Sequence, residues 1–299
     1  MTTILCSVCA HARPVELYEQ FLNYNAAVEA PLLHMAHISR DTQAEFAAEA
    51  DRSGVDFRSL PNVHFNSSAY SSGTGVISSL LGFHYANVIE AIRLGLSFDY
   101  VLIHTSSDLF FRRLPASYIE SRDIGCPWRE HLYKEDPYYE RATNDTHFFE
   151  LCQLIVPDRR LRKGRVEGAF FRRDIFLELM ALMLKCESFD ATRPWFKNYP
   201  FEEIAVPTLV AGYMAKRQLR LARNLVQTTD GNFFETVTGR KKAWREAMTA
   251  QEFAALPALL KARNTAEEVF GVKFVERSQQ DPVRLQIRQA LGYEVRLGG

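Results

Sequence analysis

The chain reads as an α/β protein with a mainly parallel sheet flanked by helices, on three observations. Short β-prone apolar runs alternate with helical patterns from the first residues onward, the order that builds parallel strands through helical crossovers. Several of those runs are apolar on both faces, as strands covered on two sides must be. One of them, Tyr100 to Ile103, passes abruptly into His104-Thr-Ser-Ser-Asp108. Small hydroxyls and an acid there lie at the carboxyl edge of the sheet, where open α/β folds bind ligands. An ordinary strand end with Asp108 capping a turn is the plainer alternative.

Taken in order, Ile4 to Ala10 is a buried first strand, and Pro14 opens a helix with Leu17, Phe21 and Leu22 on one face. Leu32 to Ile38 is a second strand with His34 and His37 near its end. Thr42 and Glu45 have capping-box spacing for the next helix. Val55 to Leu60 reads as a third strand closed by Pro61-Asn62. Ser67 to Ser79 is irregular, and its Gly73 and Gly75 allow a backbone to approach a ligand closely. A solvated loop is equally natural there.

A long helix follows from about Ser78 to Leu96, with Leu81, Tyr85, Val88, Ile89 and Ile92 inward. Cys126 to Asp158, rich in Trp128, His131, Tyr133, Tyr138 and Tyr139, reads either as stacking platforms or as an irregular lid. Val166 to Phe171 is a strand leading into a helix buried through Ile175, Leu179, Leu182 and Met183. Glu202 and Glu203 stand at the head of an apolar helix, where acids also serve simply to complement the helix dipole. Val269 to Val275 is a late apolar run carrying Lys273, which on an alternating strand also reads as facing solvent.

Bulk numbers narrow the function classes. The 299 residues suffice for one large domain with a real core. Lys plus Arg equals Asp plus Glu at 36 each, so no global field draws the chain to nucleic acid or an anionic membrane. Five cysteines, an odd number thinly spread, argue against a disulfide framework. Cys6 and Cys9 lack the second pair of a zinc site and read as core. No apolar run approaches the roughly 18 residues of a membrane helix, and Thr3 to Ala10 is too short for a leader. The expectation is a soluble protein of the cytoplasm with no integral membrane segment.

Four partial motifs, in order, carry a resemblance. Gly75-Val-Ile-Ser-Ser-Leu80, a long helix, then Phe98-Asp-Tyr-Val-Leu-Ile-His-Thr-Ser-Ser-Asp108 is similar to the pattern WGGxS…WDYFIxLSGxDxP. Gly168-Ala-Phe-Phe171 is similar to G-S-x-W/Y. Glu203-Ile-Ala-Val-Pro-Thr208 has the spacing of P-D-E-x-x-x-x-T, and Phe270-Gly-Val-Lys-Phe274, followed by Asp281, is similar to F-A-R-K-F. These patterns belong to the core-2 and I-branching N-acetylglucosaminyltransferases and peptide-O-xylosyltransferases, and the chain resembles a divergent, compact member. It departs in lacking Trp-Gly before Gly75, in placing Phe201 between Pro200 and the acids, and in ending the second strand as His37-Ile-Ser39, with Asp41 the nearest acid.

The resemblance implies a single GT-A-like, Rossmann-like domain, with a nucleotide-binding half over about 1–125 and an acceptor and catalytic half over about 126–299. It implies an inverting, metal-independent transfer of a sugar from a UDP-sugar to a saccharide or glycolipid hydroxyl, with no cofactor. Glu203 is the expected general base, with Glu202 the adjacent alternative and Glu167 a third. The donor side is expected at His11, His37, Ser39, Gly75, Ser106, Ser107, Asp108, Arg245 and Lys273. Lys273 and Arg245, with Arg240 as the other arginine, would stabilise the leaving diphosphate. Glu167, Gly168 and Trp128 are expected on the acceptor side. The rival readings are a metal-dependent transferase using Asp108 with Asp99 or Asp123, and a non-catalytic nucleotide-sugar or glycan-binding module.

Overall fold

A computed structural model describes residues 1–298 apart from His11, 67–80, Ser106, Arg129, 187–199, Asp230 and Trp244, and without the side chains of 185–186 and 213–215. In chain order the elements are β1 (Ile4–Ala10), α1 (Pro14–Ala27), β2 (Leu32–Ile38), α2 (Gln43–Arg52), β3 (Val63–Phe65), α3 (Leu81–Arg93), β4 (Tyr100–Thr105) and β5 (Asp108–Phe110). There follow α4 (Ala116–Glu120), β6 (Ile124–Gly125), α5 (Tyr139–Thr143), α6 (Thr146–Ile155), β7 (Phe170–Arg172), α7 (Arg173–Cys186) and α8 (Phe201–Lys216). The last are β8 (Leu221–Ala222), β9 (Val226–Gln227), α9 (Glu235–Thr238), α10 (Ala250–Ala262), β10 (Gly271–Lys273) and α11 (Pro282–Leu291).

Seven strands form one mostly parallel sheet in the order β3-β2-β1-β4-β7-β6-β8. Only β7 in it runs antiparallel, against β4 on one side and β6 on the other. A small second sheet, β5-β10-β9, hangs from the carboxyl end of β4. Period-two alternation divides the core. Leu5, Val101 and Ile103 point to a cluster shared with α3, α6, α7 and α8. Ile4, Cys6, Tyr100 and Leu102 point the other way, to residues of α1, α10 and α11. Burying both faces of β1 and β4 explains why their sequences are apolar without alternation. Cys6 and Cys9 are buried, and burial raises both thiol pKa values, that of Cys9 to about 12, so they are inert small core residues.

Four expectations are corrected. The third strand is Val63–Phe65; Val55 to Leu60 instead contains a 3-10 turn at Phe57–Ser59, because the Asp56 carboxylate accepts the Arg58 backbone N–H and curls the chain. The Thr42–Glu45 capping box does not form, since a 3-10 turn at Arg40–Thr42 directs the Thr42 hydroxyl to the Ser39 carbonyl. Ile89 and Ile92 lie on the outer side of α3, 53% and 41% exposed, while Leu81, Tyr85 and Val88 are buried. Within Cys126 to Asp158, 139–143 and 146–155 are helices; Asp145 caps the second, and Ala142, Phe148 and Cys152 are core. Trp128 packs against that core partly buried, which is not an exposed stacking platform.

Candidate functional site

The site grows from the turn that joins β4 to β5. Asp108 folds back on its own strand: Thr105 donates its backbone N–H and its hydroxyl to the two Asp108 carboxylate oxygens, each at 2.8 Å. The Ser107 hydroxyl lies 3.4 Å from that of Thr105. Beneath the turn, α1 presents buried polar side chains. Gln20 donates to the carbonyls of Thr105 and of Asp108, the latter at 2.9 Å. Asn23 exchanges two hydrogen bonds with the Phe110 backbone, at 2.8 and 2.7 Å. These bonds saturate the backbone groups that the strand break would otherwise orphan in the interior.

Lys273 reaches the same place from the far end of the chain. In the antiparallel β10–β5 pairing it stands opposite Asp108. Lys273 is only 9% exposed and its ammonium pairs with Glu167, so the solvent-facing reading does not hold. Glu167 is buried just before β7, and its neighbour Gly168 bonds to both sides of the chain: its N–H donates to Ile103 O and its carbonyl accepts from Leu225 N, both at 2.8 Å. Gly168 has φ 72°, and a Cβ there would meet Val226 N at 2.5 Å. The glycine therefore has a backbone reason to be there.

Glu203 enters from the first turn of α8. Arg165 donates to it at 2.8 Å, and the Glu203 carbonyl accepts the Gly164 N–H at 2.8 Å. Glu203 is one quarter exposed at its side chain, whereas Glu202, one residue before it, is buried. Asp108, Glu167, Lys273, Arg165 and Glu203 form one electrostatic group: Lys273 and Glu167 act on Asp108, Lys273 and Arg165 on Glu167, and Arg165, Glu167 and Lys273 on Glu203.

The shifts within the group have separate causes. Burial raises Asp108 to about 6; Lys273 and the Thr105 hydrogen bonds oppose this, while Glu167 adds to it. Burial also pushes Glu167 upward, but the charge and hydrogen bond of Lys273 outweigh it and the net direction is down. Glu203 is raised, chiefly by burial and also by Glu167, against the opposing charge of Arg165. A carboxylate held above its ordinary pKa is a stronger base once ionised, which suits proton abstraction near neutral pH.

Other expected residues fall nearby or elsewhere. His37 and Ser39 are buried at the carboxyl end of β2, with the His37 ring 4.7 Å from that of Phe83 and the Ser39 N–H donating to Ala10 O at 3.0 Å. Arg245 is exposed in a left-handed conformation, φ 66°. His11, Gly75 and Ser106 lie outside the described residues. Asp99 and Asp123 sit at the opposite, amino end of β4: Asp99 accepts the Thr3 N–H at 2.8 Å, and Asp123 binds Arg172 and Arg220 at 2.7 and 3.0 Å. Among the described residues no cluster of three or more His, Cys, Asp or Glu has metal-binding geometry.

The sequence reading missed Arg165, Gln20 and Asn23. Gln20 and Asn23 lie on the apolar-looking face of α1, three residues apart, and polar residues at core spacing were the available signal. Compared with known proteins, the chain matches no protein-family model and no curated protein sequence. No helix among the described residues is long and apolar enough to cross a membrane.

Proposed function

We propose that this protein is an inverting glycosyltransferase of the GT-A type that moves a sugar from a UDP-sugar to a saccharide hydroxyl. The observation that carries the reading is the convergence of Asp108, Glu167, Lys273, Arg165 and Glu203, from four separated stretches of chain, into one charged group at the carboxyl edge of β4. Asp108, Glu167 and Lys273 are buried and Arg165 and Glu203 partly so, and ionisable groups gathered in this way are costly unless they are used or mutually neutralised. The ordered motifs Phe98 to Asp108, Glu203 to Thr208 and Phe270 to Phe274 contribute three of those residues, Asp108, Glu203 and Lys273, and Glu167 immediately precedes the fourth motif, Gly168 to Phe171.

In this reading the acceptor hydroxyl gives its proton to the Glu203 carboxylate as its oxygen attacks the anomeric carbon. The carbon–oxygen bond to the diphosphate breaks on the opposite face, and the bonding pair leaves with UDP. Arg165 fixes one Glu203 oxygen and leaves the other for the proton. Asp108, locked by Thr105, orients the β4–β5 turn against the donor. Asp99 and Asp123 are committed at the other end of β4, away from Asp108, so a metal-dependent reading would need a different acid beside it.

The test is turnover and donor affinity of Glu203→Gln beside Glu202→Gln, with UDP-GlcNAc, UDP-xylose and UDP-galactose as donors. Loss of a general base costs about 10²–10⁴-fold in rate, and Glu203→Gln should show it with donor affinity little changed. Glu202→Gln should be mild. Unchanged transfer in Glu203→Gln would remove the base from this mechanism, and a protein that binds UDP-sugars without turnover would be a binding module.

A further inference from the structure

Asn66, Asn87, Ser7 and His84 form a buried polar chain on the α3 side of the sheet, and counting hydrogens along it fixes the state of its last member. Asn87 Nδ2 lies 3.0 Å from the carbonyl oxygens of Val8 and Met35. Carbonyls only accept, so this atom is the amide nitrogen, and the Asn87 oxygen accepts from Asn66 at 3.0 Å. The same nitrogen donates to Ser7 Oγ at 3.0 Å. Among the described residues Ser7 Oγ has one further partner, His84 Nδ1, at 2.8 Å.

Ser7 and Asn87 have no exposed surface. A serine hydroxyl carries one proton, and an amide nitrogen cannot accept it. If Ser7 accepted from His84 as well as from Asn87, its own proton would be buried without an acceptor, which is costly. The Ser7 proton therefore goes to His84 Nδ1. With Nδ1 occupied as an acceptor, a neutral His84 carries its own proton on Nε2. The ring is neutral because its pKa is lowered to about 4, by burial first and then by His37, with Glu167 opposing.

Among the described residues that Nε2 proton has no acceptor, although His84 is only 3% exposed. Backbone geometry places the ring beside the charged group. Ser7 is the register partner of Ile103 on β4, and Ile103 O accepts the N–H of Gly168, the residue after Glu167, at 2.8 Å. A second unmatched atom lies at that point: Glu167 Oε2 is buried without a hydrogen-bond partner. An N–H donor and a carboxylate acceptor, both unmatched, suit a hydroxyl, which accepts and donates at once.

We infer that His84 is a specificity-determining residue of this site, its Nε2–H donating to an oxygen of the sugar that the nucleotide carries. In assigning that oxygen to the donor sugar, the inference rests on the glycosyltransferase reading. The sugar, rather than the uridine, is the part of the donor that must lie beside Glu167 and Glu203 for transfer. Asn66, Asn87 and Ser7 act through His84, by holding its proton on the nitrogen that faces the ligand.

Full-length chain labelled with ¹⁵N in its histidines is observed by NMR at neutral pH, the His84 signals being those that vanish in His84→Gln. Nε2 should be protonated and Nδ1 bare. UDP-GlcNAc, UDP-xylose and UDP-galactose are then added, with UDP and the three free sugars beside them. At least one nucleotide sugar should shift the Nε2 signal, and UDP should not. His84→Leu should weaken that nucleotide sugar about three- to tenfold, the worth of one neutral hydrogen bond, and leave UDP unchanged. His84→Gln, whose amide N–H can stand in for Nε2–H, should keep most of the affinity. Matched thermal unfolding separates lost binding from lost fold, and the wild-type spectra decide the matter even where His84→Leu does not fold. A proton on Nδ1 overturns the inference, as does a nucleotide sugar that binds without moving the Nε2 signal; both leave the glycosyltransferase reading standing. An equal shift with UDP alone would assign the proton to the nucleotide and overturn its role toward the sugar. A free sugar that shifts Nε2 while no nucleotide sugar binds keeps the His84 contact and removes the nucleotide donor. Silence toward nucleotide sugars and free sugars alike overturns the inference outright.

Discussion

Lys273 shows how a residue singled out by its motif spacing can have a neighbour that the spacing does not display. Its motif spacing was legible in Phe270 to Phe274, and Asp108 was legible as the acid ending an apolar strand. Nothing local to either position announced Glu167, which is 106 residues from Lys273 and becomes its partner only when β7 inserts beside β4. Removing one member of a buried pair leaves the other's charge unmatched, at a cost of about 3–5 kcal/mol. Lys273→Ala should therefore lower unfolding stability by about that amount in denaturant titrations, beyond any effect on a ligand. Adding Glu167→Gln to Lys273→Met should recover part of the loss, because neither charge is then buried alone. A stability change under about 1 kcal/mol in Lys273→Ala would mean water reaches the pair and solvates Glu167 unaided.

Among the elements, β1, β2 and α8 were legible because their signals are local: continuous apolar runs bounded by turn residues, and two acids heading an apolar helix after Pro200. Misread elements were settled by competition that the pattern does not display. A capping box fails at Thr42, where a preceding 3-10 turn takes the hydroxyl, yet forms at Thr249 and Glu252 to open α10. Strand β7 falls at the end of the Val166 to Phe171 run, shorter and one residue later than expected, while β8 and β9 are almost unreadable, since two residues carry no periodicity. What holds β7 to β9 is the Gly168 turn, whose carbonyl accepts from Leu225 just before β9. Gly168→Ala meets a left-handed φ and a 2.5 Å approach to Val226 N, which is backbone that cannot swing aside. Backbone strain of this kind costs on the order of 1–3 kcal/mol before the clash is counted. We expect Gly168→Ala to unfold at clearly lower denaturant, whereas Gly239→Ala, also left-handed but with open space around it, should suffer only the conformational part. Equal losses at both would mean the Val226 approach relaxes freely.

At the scale of the whole molecule, buried imidazoles set the response to acid. His34 is lowered to about 3, by burial and the charge of His64, and His84 to about 4, by burial and His37. His104 is lowered well below its ordinary value, again by burial first, with His34 and His84 adding to it. Each ring is buried in the core as a neutral group, His34 and His104 on strands and His84 on α3: His84 shares a 2.8 Å hydrogen bond with Ser7, and His34 a 2.9 Å bond with Asn25. An unfolded histidine takes a proton near pH 6.5, so below that point the unfolded chain binds protons that the fold refuses. Stability must then fall as pH drops from about 6.5 toward the folded values. Asp108, raised to about 6, and Glu203, also raised, work the other way: the folded state binds their protons first, which favours the fold as pH falls. Three histidines against two carboxyls leave at least one excess proton on the unfolded side, a slope of about 1.4 kcal/mol per pH unit. Urea titrations at pH 7.5, 6, 5 and 4.5 should show the unfolding free energy declining by about that slope below pH 6.5. In His84→Gln the ring that titrates is gone, and the slope should lessen by about one proton's worth. A stability that holds level or rises from pH 7.5 to 5 would mean the rings are protonated within the fold, and the neutral core described for them would be wrong.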